Sequence, residues 1–228
     1  METRQTSRLR LISLFEDLGE AEFARIARSC VTRSYERGAQ VYGEHDQATD
    51  VFFILEGMVR INSTSAEGRE IIFNDLGVGH MFGEFGAIDG LPRSTAVVAL
   101  TDCVLASMPA PRFFELLKEN STVSIRLIQL LVAKIRAASE RVFEVSALAV
   151  RERVRRELLR LGAEGTKTGH SVVISPAPTH YDLAARIGSH REAVTRELNR
   201  LAEEKIVEIG RRQIRIVDVR LLQDAEDE

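Results

Sequence analysis

The chain has few of the residues from which disulfide frameworks and metal sites are built. Its 228 residues contain two cysteines, Cys30 and Cys103, which are too few and too far apart for a disulfide framework or an iron–sulfur cluster. The five histidines show neither an HExxH motif nor another paired spacing that would suit zinc. We therefore expect both cysteines to be buried apolar residues, and we expect no metal.

Long apolar runs and an overall basic charge are also missing. No run reaches the roughly 18 residues that span a bilayer, and no apolar segment follows METRQTSRLR to complete a signal peptide. These absences predict a cytoplasmic protein with no membrane partner. The net charge of −3 argues against a uniformly basic nucleic-acid binder, but residues 186–215 hold eight Lys or Arg against five Glu. A local basic face is therefore still expected.

Apolar patterning changes twice along the chain. Residues 8–29 predict short helices with a break at Gly19. Five short apolar runs follow between Val31 and Met108: VFFIL, MVRI, EIIF, AVVAL and VLASM. Runs of this length, separated by glycine-bearing turns, predict an antiparallel sandwich or barrel.

A long helical stretch follows Pro109 and Pro111, with a possible break at residues 120–121. Within it, apolar residues recur at alternating steps of three and four: Ile128, Leu131, Ile135, Ala138, Val142, Val145 and Ala149. This spacing is a heptad seam. The helix could lie on its own β domain, but a narrow stripe with charged residues around it favours a two-stranded coiled coil and hence a homodimer.

The C-terminal region has the pattern of a winged helix. RERVRRELLRLGAEG predicts a helix ending at Gly162, TKTGHS a loop, and VVISP a strand. Two capping-box spacings, Thr179 with Asp182 and Ser189 with Glu192, predict two helices joined by a tight turn, which is helix-turn-helix geometry. KIVEIGRRQIRIVD predicts a hairpin, followed by an acidic tail over residues 224–228.

Arg191 suggests what the second of these helices binds. A cation in a first helical turn opposes the macrodipole, so an external anion or base edge would explain it. In the major groove Arg can bond guanine O6 and N7, and Glu can accept from cytosine N4. The predicted DNA-binding residues are Ser189, His190, Arg191, Glu192, Arg196, Arg211 and Arg212. The alternative is a solvated helix with a Glu192–Arg196 pair.

Residues 83–96, GEFGAIDGLPRSTA, form the most specific stretch. A plain turn uses glycine and proline but needs no charge, whereas this one carries Glu84 early and Arg93 late. A phosphate-binding loop would use the glycines, the acidic residue and the arginine. The alternative is that the acid and the arginine are buried and bond only to each other.

Taken together, these motifs resemble the Crp/Fnr family of bacterial transcription regulators, in its cyclic-AMP receptor-like branch, from about Leu14 to about Val217. Residues 83–96 resemble the phosphate-binding cassette of cyclic-nucleotide-binding domains, with its G-E and R-S elements. SHREAVTRE resembles the family's R-E-x-x-x-R recognition helix. The resemblance implies cyclic AMP or cyclic GMP as allosteric ligand. It implies palindromic double-stranded DNA, a second copy of the chain and RNA polymerase as partners. We expect no enzymatic activity, because no set of nucleophile, base and orienting residue appears in the sequence.

The resemblance also assigns roles within the cassette. Gly83 and Gly86 would let backbone amides approach an anion, Glu84 would accept from the ribose 2′-hydroxyl, and Arg93 would pair with the phosphate oxygens. Ser94 would add a hydroxyl bond. The expected nucleotide-binding residues are Gly83, Glu84, Phe85, Gly86, Arg93, Ser94 and Ser139.

In receptors of this type a Thr-Ser pair on the long helix reads the base. Here Ala138 and Ser139 keep the serine but not the threonine. Discrimination between adenine and guanine should weaken, and Ser94 resembles the guanine-favouring pattern. We therefore expect both cyclic AMP and cyclic GMP to bind.

The expected fold is α+β, in three parts: residues 1–111 form a cyclic-nucleotide-binding β-roll (jelly roll) with N-terminal helices, 112–149 a dimerisation helix region, and 150–228 a winged helix-turn-helix domain. Two other functions remain open. One is a Crp/Fnr-type regulator that responds to another effector or to none. The other is a metal-assisted phosphodiesterase with Glu84 as base, for which no carboxylate or histidine pair is evident.

Overall fold

A computed structural model describes residues 8–224. The chain divides into two compact units, Met1–Ile135 and Arg136–Glu228, and the boundary falls inside a helix. The acidic tail predicted at 224–228 lies, apart from Asp224, outside the described residues.

The first unit contains the predicted β region, and the antiparallel sandwich is confirmed. Its eight strands are β1 (Val31–Tyr35), β2 (Gln40–Tyr42), β3 (Val51–Glu56), β4 (Val59–Thr64), β5 (Glu70–Leu76), β6 (Met81–Phe82), β7 (Ala96–Ala99) and β8 (Cys103–Met108). They form two four-stranded sheets in the orders β1-β8-β3-β6 and β2-β7-β4-β5. All their pairings are antiparallel.

Strand β3 explains why a sandwich strand can be continuously apolar. Phe53 and Leu55 point into a core shared with the helices, whereas Phe52 and Ile54 point into a second core with residues of the other sheet. A strand buried on both faces needs no polar alternation. The run VFFIL is therefore the central layer of this unit.

Besides a short 3-10 helix at Ser13–Phe15, four α-helices begin between residues 10 and 135 of the first unit. They are α1 (Glu20–Arg28), α2 (Glu84–Asp89), α3 (Ala110–Glu119) and α4 (Ser121–Ala147). The predicted break between the last two is confirmed: Asn120 is extended, and its Oδ1 accepts from the Val123 backbone amide at 3.2 Å. Residues 83–96, predicted to form a phosphate-binding loop, contain the short helix α2.

The second unit contains the end of α4 and four further helices, α5 (Val150–Ala163), α6 (His180–Ile187), α7 (Arg191–Glu203) and α8 (Val219–Asp224). Its sheet has the order β11-β12-β10-β9, from strands β9 (Thr166–Thr168), β10 (Ser171–Ile174), β11 (Val207–Gly210) and β12 (Gln213–Ile216). The predicted hairpin is β11–β12. The segment TKTGHS, predicted to be a loop, instead supplies β9, which pairs with β10.

Helix α5 continues past its predicted end at Gly162. A Cβ at this position would lie 3.2 Å from Ile216 Cδ1 and 3.4 Å from Val172 Cγ1. The glycine therefore permits close packing of the helix on the sheet and does not end the helix.

Candidate nucleotide pocket and nucleic-acid interface

Gly83 shapes the start of the candidate nucleotide-binding loop. Its φ of +82° lies in the left-handed region, which favours glycine. A Cβ here would lie 2.8 Å from Arg93 Nη1 and 2.9 Å from the Asp50 carbonyl oxygen. Any side chain at position 83 would therefore displace the arginine.

Arg93 is buried, with 2% of its surface exposed. Its Nη1 donates to the Gly83 carbonyl at 2.8 Å and its Nη2 donates to the Asp50 carbonyl at 2.7 Å. The guanidinium carbon lies 4.2 Å from the ring centre of Tyr42. Among residues 8–224 no carboxylate pairs with Arg93, and its buried Nε has no hydrogen-bond partner.

Glu84 is also buried, with 3% exposure, but its partner is Lys134, whose Nζ donates to Glu84 Oε1 at 2.6 Å. The same Nζ lies 5.6 Å from the ring centre of Phe85. The alternative in which Glu84 and Arg93 bond only to each other is therefore wrong. Lys134 lies on α4, where it is one of the charged residues beside the heptad seam.

The remaining predicted nucleotide-binding residues differ in exposure. Phe85 and Ser94 are exposed, while Gly86 is buried, and a Cβ at Gly86 would lie 3.0 Å from the Leu91 carbonyl oxygen. Ser139 is exposed on α4, in the second unit. The structure thus brings Gly83, Glu84, Gly86 and Arg93 together.

Tyr42 lies beneath the arginine, and its phenol has a raised pKa. Burial raises the pKa of Tyr42 to about 12, although the positive charge of Arg93 acts in the opposite direction. The phenol is therefore neutral at physiological pH. Its ring makes a cation–π contact with the guanidinium but does not neutralise the positive charge.

Helix α4 exposes a row of apolar side chains. Ile128, Ile135 and Val142 recur every seven residues and are 58%, 65% and 67% exposed. Ala138 and Val145 are exposed too, whereas Leu131 packs partly against the core of the first unit. A row of this kind is costly in water, and a partner helix would bury it.

The helix-turn-helix is confirmed, and its first capping box is present. The Thr179 hydroxyl accepts from the Asp182 amide at 3.1 Å, and the Asp182 carboxylate accepts from the Thr179 amide at 2.9 Å. Gly188 ends α6 in the left-handed conformation, with φ of +62°, as the tight turn requires.

The second capping box is wrong. The N-cap residue of α7 is His190, which makes no side-chain capping bond. Ser189 belongs to the preceding turn, where it is buried and its amide donates to the Ala184 carbonyl at 2.9 Å. The helix therefore begins at Arg191, one residue later than a serine cap would place it.

The first turns of α7 carry the predicted base-reading side chains. Arg191, Glu192 and Arg196 are exposed, and none of the three makes an ion pair with another described residue. The expected alternative, a Glu192–Arg196 pair, is therefore not formed. Arg211 and Arg212 are exposed and connect β11 to β12. They lie at the tip of the hairpin that forms the wing, where they could contact DNA phosphates.

Two absences concern other classes of site. Among residues 8–224 no group of three or more histidine, cysteine, aspartate or glutamate side chains could hold a metal ion. Over the same residues, no helix combines the length and apolar character that crossing a membrane demands.

Two family models match this chain. The cyclic nucleotide-binding domain matches residues 32–120, which include the whole of the loop 83–96. The Crp-like helix-turn-helix domain matches residues 152–225, which include α6, α7 and the wing. Together they cover more than two thirds of the sequence.

Known proteins match the chain over nearly its full length. The cyclic AMP receptor protein of Thermus thermophilus is 28% identical over 211 residues, which are 92% of this chain and 95% of that protein. FixK2 from Bradyrhizobium japonicum has a TM-score of 0.75 at 22% identity, over 86% of this chain and 96% of its own. The c-di-GMP responsive regulator CLP of Xanthomonas campestris has a TM-score of 0.74 at 20% identity, over 87% and 99%. The chain belongs to the Crp/Fnr family of transcription regulators, with a cyclic nucleotide-binding domain and a DNA-binding helix-turn-helix domain.

Proposed function

We propose that this regulator is a homodimer that binds cyclic AMP and cyclic GMP in its β-roll and, in response, binds palindromic double-stranded DNA. The observation that carries the proposal is the buried Arg93 guanidinium without a carboxylate partner among the described residues. RNA polymerase as a partner and a cytoplasmic location are part of the same proposal, which family membership supports.

A buried cation without a counter-ion is unfavourable, because desolvation of the charge costs several kcal/mol and is not repaid. The singly charged phosphate of a cyclic nucleotide would supply the missing negative charge. Two carbonyl bonds already fix the guanidinium, so little side-chain entropy remains to be lost on binding. Arg93 is thus pre-organised for an anion.

Glu84 suits the sugar of the same ligand. A carboxylate accepts hydrogen bonds only, and a ribose 2′-hydroxyl is a donor. Lys134 donates to one oxygen, Oε1, and this charge-assisted bond compensates the buried carboxylate. This pairing also argues against the phosphodiesterase alternative, in which Glu84 would serve as a general base.

Weak purine selectivity is the second part of the proposal. Ala138 lacks the hydroxyl that would bond the adenine amino group, whereas Ser94, within the loop 83–96, is exposed and carries a hydroxyl. We expect cyclic AMP and cyclic GMP to differ by less than about a thousandfold in dissociation constant, roughly 4 kcal/mol.

The exposed row on α4 supports the dimer, and the dimer determines the form of the DNA site. Ile128, Ile135 and Val142 offer the seven-residue repeat that a parallel partner helix would bury. A two-fold dimer presents two α7 helices, so its operator is palindromic, with half-sites about one helical turn apart.

Isothermal titration with each cyclic nucleotide, with and without an operator duplex, tests the proposal. We expect both nucleotides to bind, to bind more tightly when operator is present, and to remain unhydrolysed. By reciprocity the nucleotide should increase operator affinity by the same factor, about 5- to 150-fold. If neither nucleotide bound, the effector would have to be another molecule or none; turnover of either would place the protein among enzymes.

A further inference from the structure

Among the described residues of the second unit, two of the three buried glutamates share arginine partners. Glu157 on α5 is 1% exposed and Glu144 near the end of α4 is 4% exposed. Buried carboxylates persist only when cations or hydrogen-bond donors compensate their charge. Here arginines from three helices supply that compensation.

Glu157 contacts an arginine from each of these helices. Arg141 Nη2 of α4 donates to Glu157 Oε2 at 2.6 Å. Arg160 Nη1 of α5 donates to the same oxygen at 2.5 Å, and Arg186 Nη1 of α6 lies 3.5 Å from Oε1.

Glu144 extends the cluster without adding another helix. Arg160 Nη2 donates to Glu144 Oε1, Arg156 Nη1 lies 3.8 Å from that oxygen, and Arg141 Nη1 lies 3.6 Å from Oε2. Arg160 thus bridges the two carboxylates. We call these six residues the arginine–glutamate cluster: Arg141, Glu144, Arg156, Glu157, Arg160 and Arg186.

The cluster connects to the turn of the helix-turn-helix. Arg186 belongs to α6, the helix that precedes this turn. One α5 turn before Glu157, Arg153 Nη1 donates to the Ile187 carbonyl at 2.5 Å and to the Gly188 carbonyl at 3.2 Å. Two arginine contacts therefore join α5 to the end of α6, immediately before the recognition helix. In one, Arg153 of α5 donates to the end of α6, and in the other, Arg186 of α6 lies beside Glu157 of α5.

We infer that Glu157 is a positioning residue that couples α4 to the helix-turn-helix through Arg141, so that the nucleotide response of DNA binding depends on this pair. The inference rests on the proposed function. Lys134, the partner of Glu84, precedes Arg141 by seven residues on the continuous helix α4, or about two turns. Helix α4 therefore contributes the cation of two ion pairs: Lys134 pairs with Glu84 of the candidate pocket, and Arg141 pairs with Glu157.

Substitution of Arg141 tests the inference directly, because Glu157 would still contact Arg160 and Arg186 after Arg141 is replaced. Arg141→Gln removes the charge that α4 contributes and leaves the partners on α5 and α6 in place. The matched control is Arg200→Gln. Arg200 Nη2 pairs with buried Glu197 at 2.7 Å and is similarly exposed, but that pair includes no described residue of α4.

Operator affinity with and without cyclic nucleotide, measured by fluorescence anisotropy on the full dimer, gives the coupling as a ratio. We expect Arg141→Gln to reduce this ratio at least about fivefold, from a wild-type value within the 5- to 150-fold range typical of allosteric coupling. We expect Arg200→Gln to retain the wild-type ratio. Arg141→Lys keeps the positive charge and should restore most of it. Nucleotide affinity without DNA should be close to wild type in all three.

Three results would overturn the inference. Arg141→Gln could keep the wild-type ratio, Arg200→Gln could lose it equally, or Arg141→Lys could behave like Arg141→Gln. The second result would mean that any loss of a buried pair in this unit abolishes coupling, and thermal unfolding of both variants would show the shared destabilisation. A wild-type protein whose operator affinity ignores nucleotide would refute the proposed function itself, which is a separate outcome.

Discussion

Replacing Arg93 with alanine should separate ligand binding from folding. The substitution removes the guanidinium of Arg93, a residue that is 2% exposed, and with it the proposed cationic partner of a desolvated phosphate. Truncating one partner of a buried, hydrogen-bonded charge pair costs about 2 to 5 kcal/mol. The dissociation constants of both cyclic nucleotides should therefore rise by about 30-fold to several thousandfold.

The stability of the ligand-free protein should change much less. Arg93→Ala leaves the Gly83 and Asp50 carbonyls without their donors, at about 1 to 3 kcal/mol for buried groups that stay unpaired. The same change also removes a buried charge that has no counter-ion, and this gain opposes the loss. Arg60→Ala is the matched control, because Arg60 already has a carboxylate partner in Asp75, at 2.9 and 3.0 Å. It should lower stability and spare nucleotide affinity.

Isothermal titration and thermal unfolding of both variants give the two quantities. The reasoning fails if Arg93→Ala binds cyclic AMP with the wild-type dissociation constant. It also fails if Arg60→Ala weakens binding as strongly as Arg93→Ala, because the effect would then be general to arginines of the β-roll.

Three further outcomes are expected. Arg191→Ala should cost about 1 to 3 kcal/mol at the preferred operator and relax its guanine preference; a loss that is uniform over all sequences would make Arg191 a phosphate contact. Val142→Glu, in the exposed row of α4, should dissociate the ligand-free dimer in light scattering, whereas Val31→Glu, which changes another exposed valine, in β1, should leave it intact. The pKa of Tyr42 is raised by burial to about 12, above about 10 in an unfolded chain; its contribution to stability is therefore complete below pH 10 and lost as the pH rises through 12. Tyr42→Phe should remove about 3 kcal/mol of that alkaline sensitivity, and an unchanged pH profile of unfolding would contradict it.

Sequence patterns predicted the elements whose cause is local. Strand β3 follows from a run of apolar residues, the break before α4 from Asn120, and the start of α6 from the capping box of Thr179. Each of these signals lies within a few residues of the feature it determines. The loop 83–96 was recognisable for the same reason, since its charges and glycines are adjacent in the chain.

The partners of buried charges were not predictable in this way. Glu84 and Lys134 are 50 residues apart in the sequence, and the fold alone brings them together. Neither periodicity nor a motif marked Glu157, because an apolar helix face interrupted by glutamate looks like an exposed position. Side-chain pairing over such separations depends on tertiary packing, which local patterns do not encode.

The second capping box shows a local signal that tertiary packing overrode. Ser189 and Glu192 have the required spacing, yet Ser189 lies in the turn after Gly188, where it is buried and its amide donates to the Ala184 carbonyl. His190 takes the N-cap position without a side-chain bond. A turn of fixed geometry can thus move a helix start by one residue.

The arginine–glutamate cluster has a consequence for fusing this DNA-binding domain to a different sensor domain. The natural place to join it to a foreign sensor is the short connection before Val150, where one helix ends and the next begins. A join there would discard Arg141 and Glu144, expose the acidic side chain of Glu157 to a new neighbour, and leave Arg160 without one of its two carboxylates. A chimera that starts at about Arg136, where the second unit begins, would carry its own anchoring segment and could report another sensor's signal with the native linkage intact.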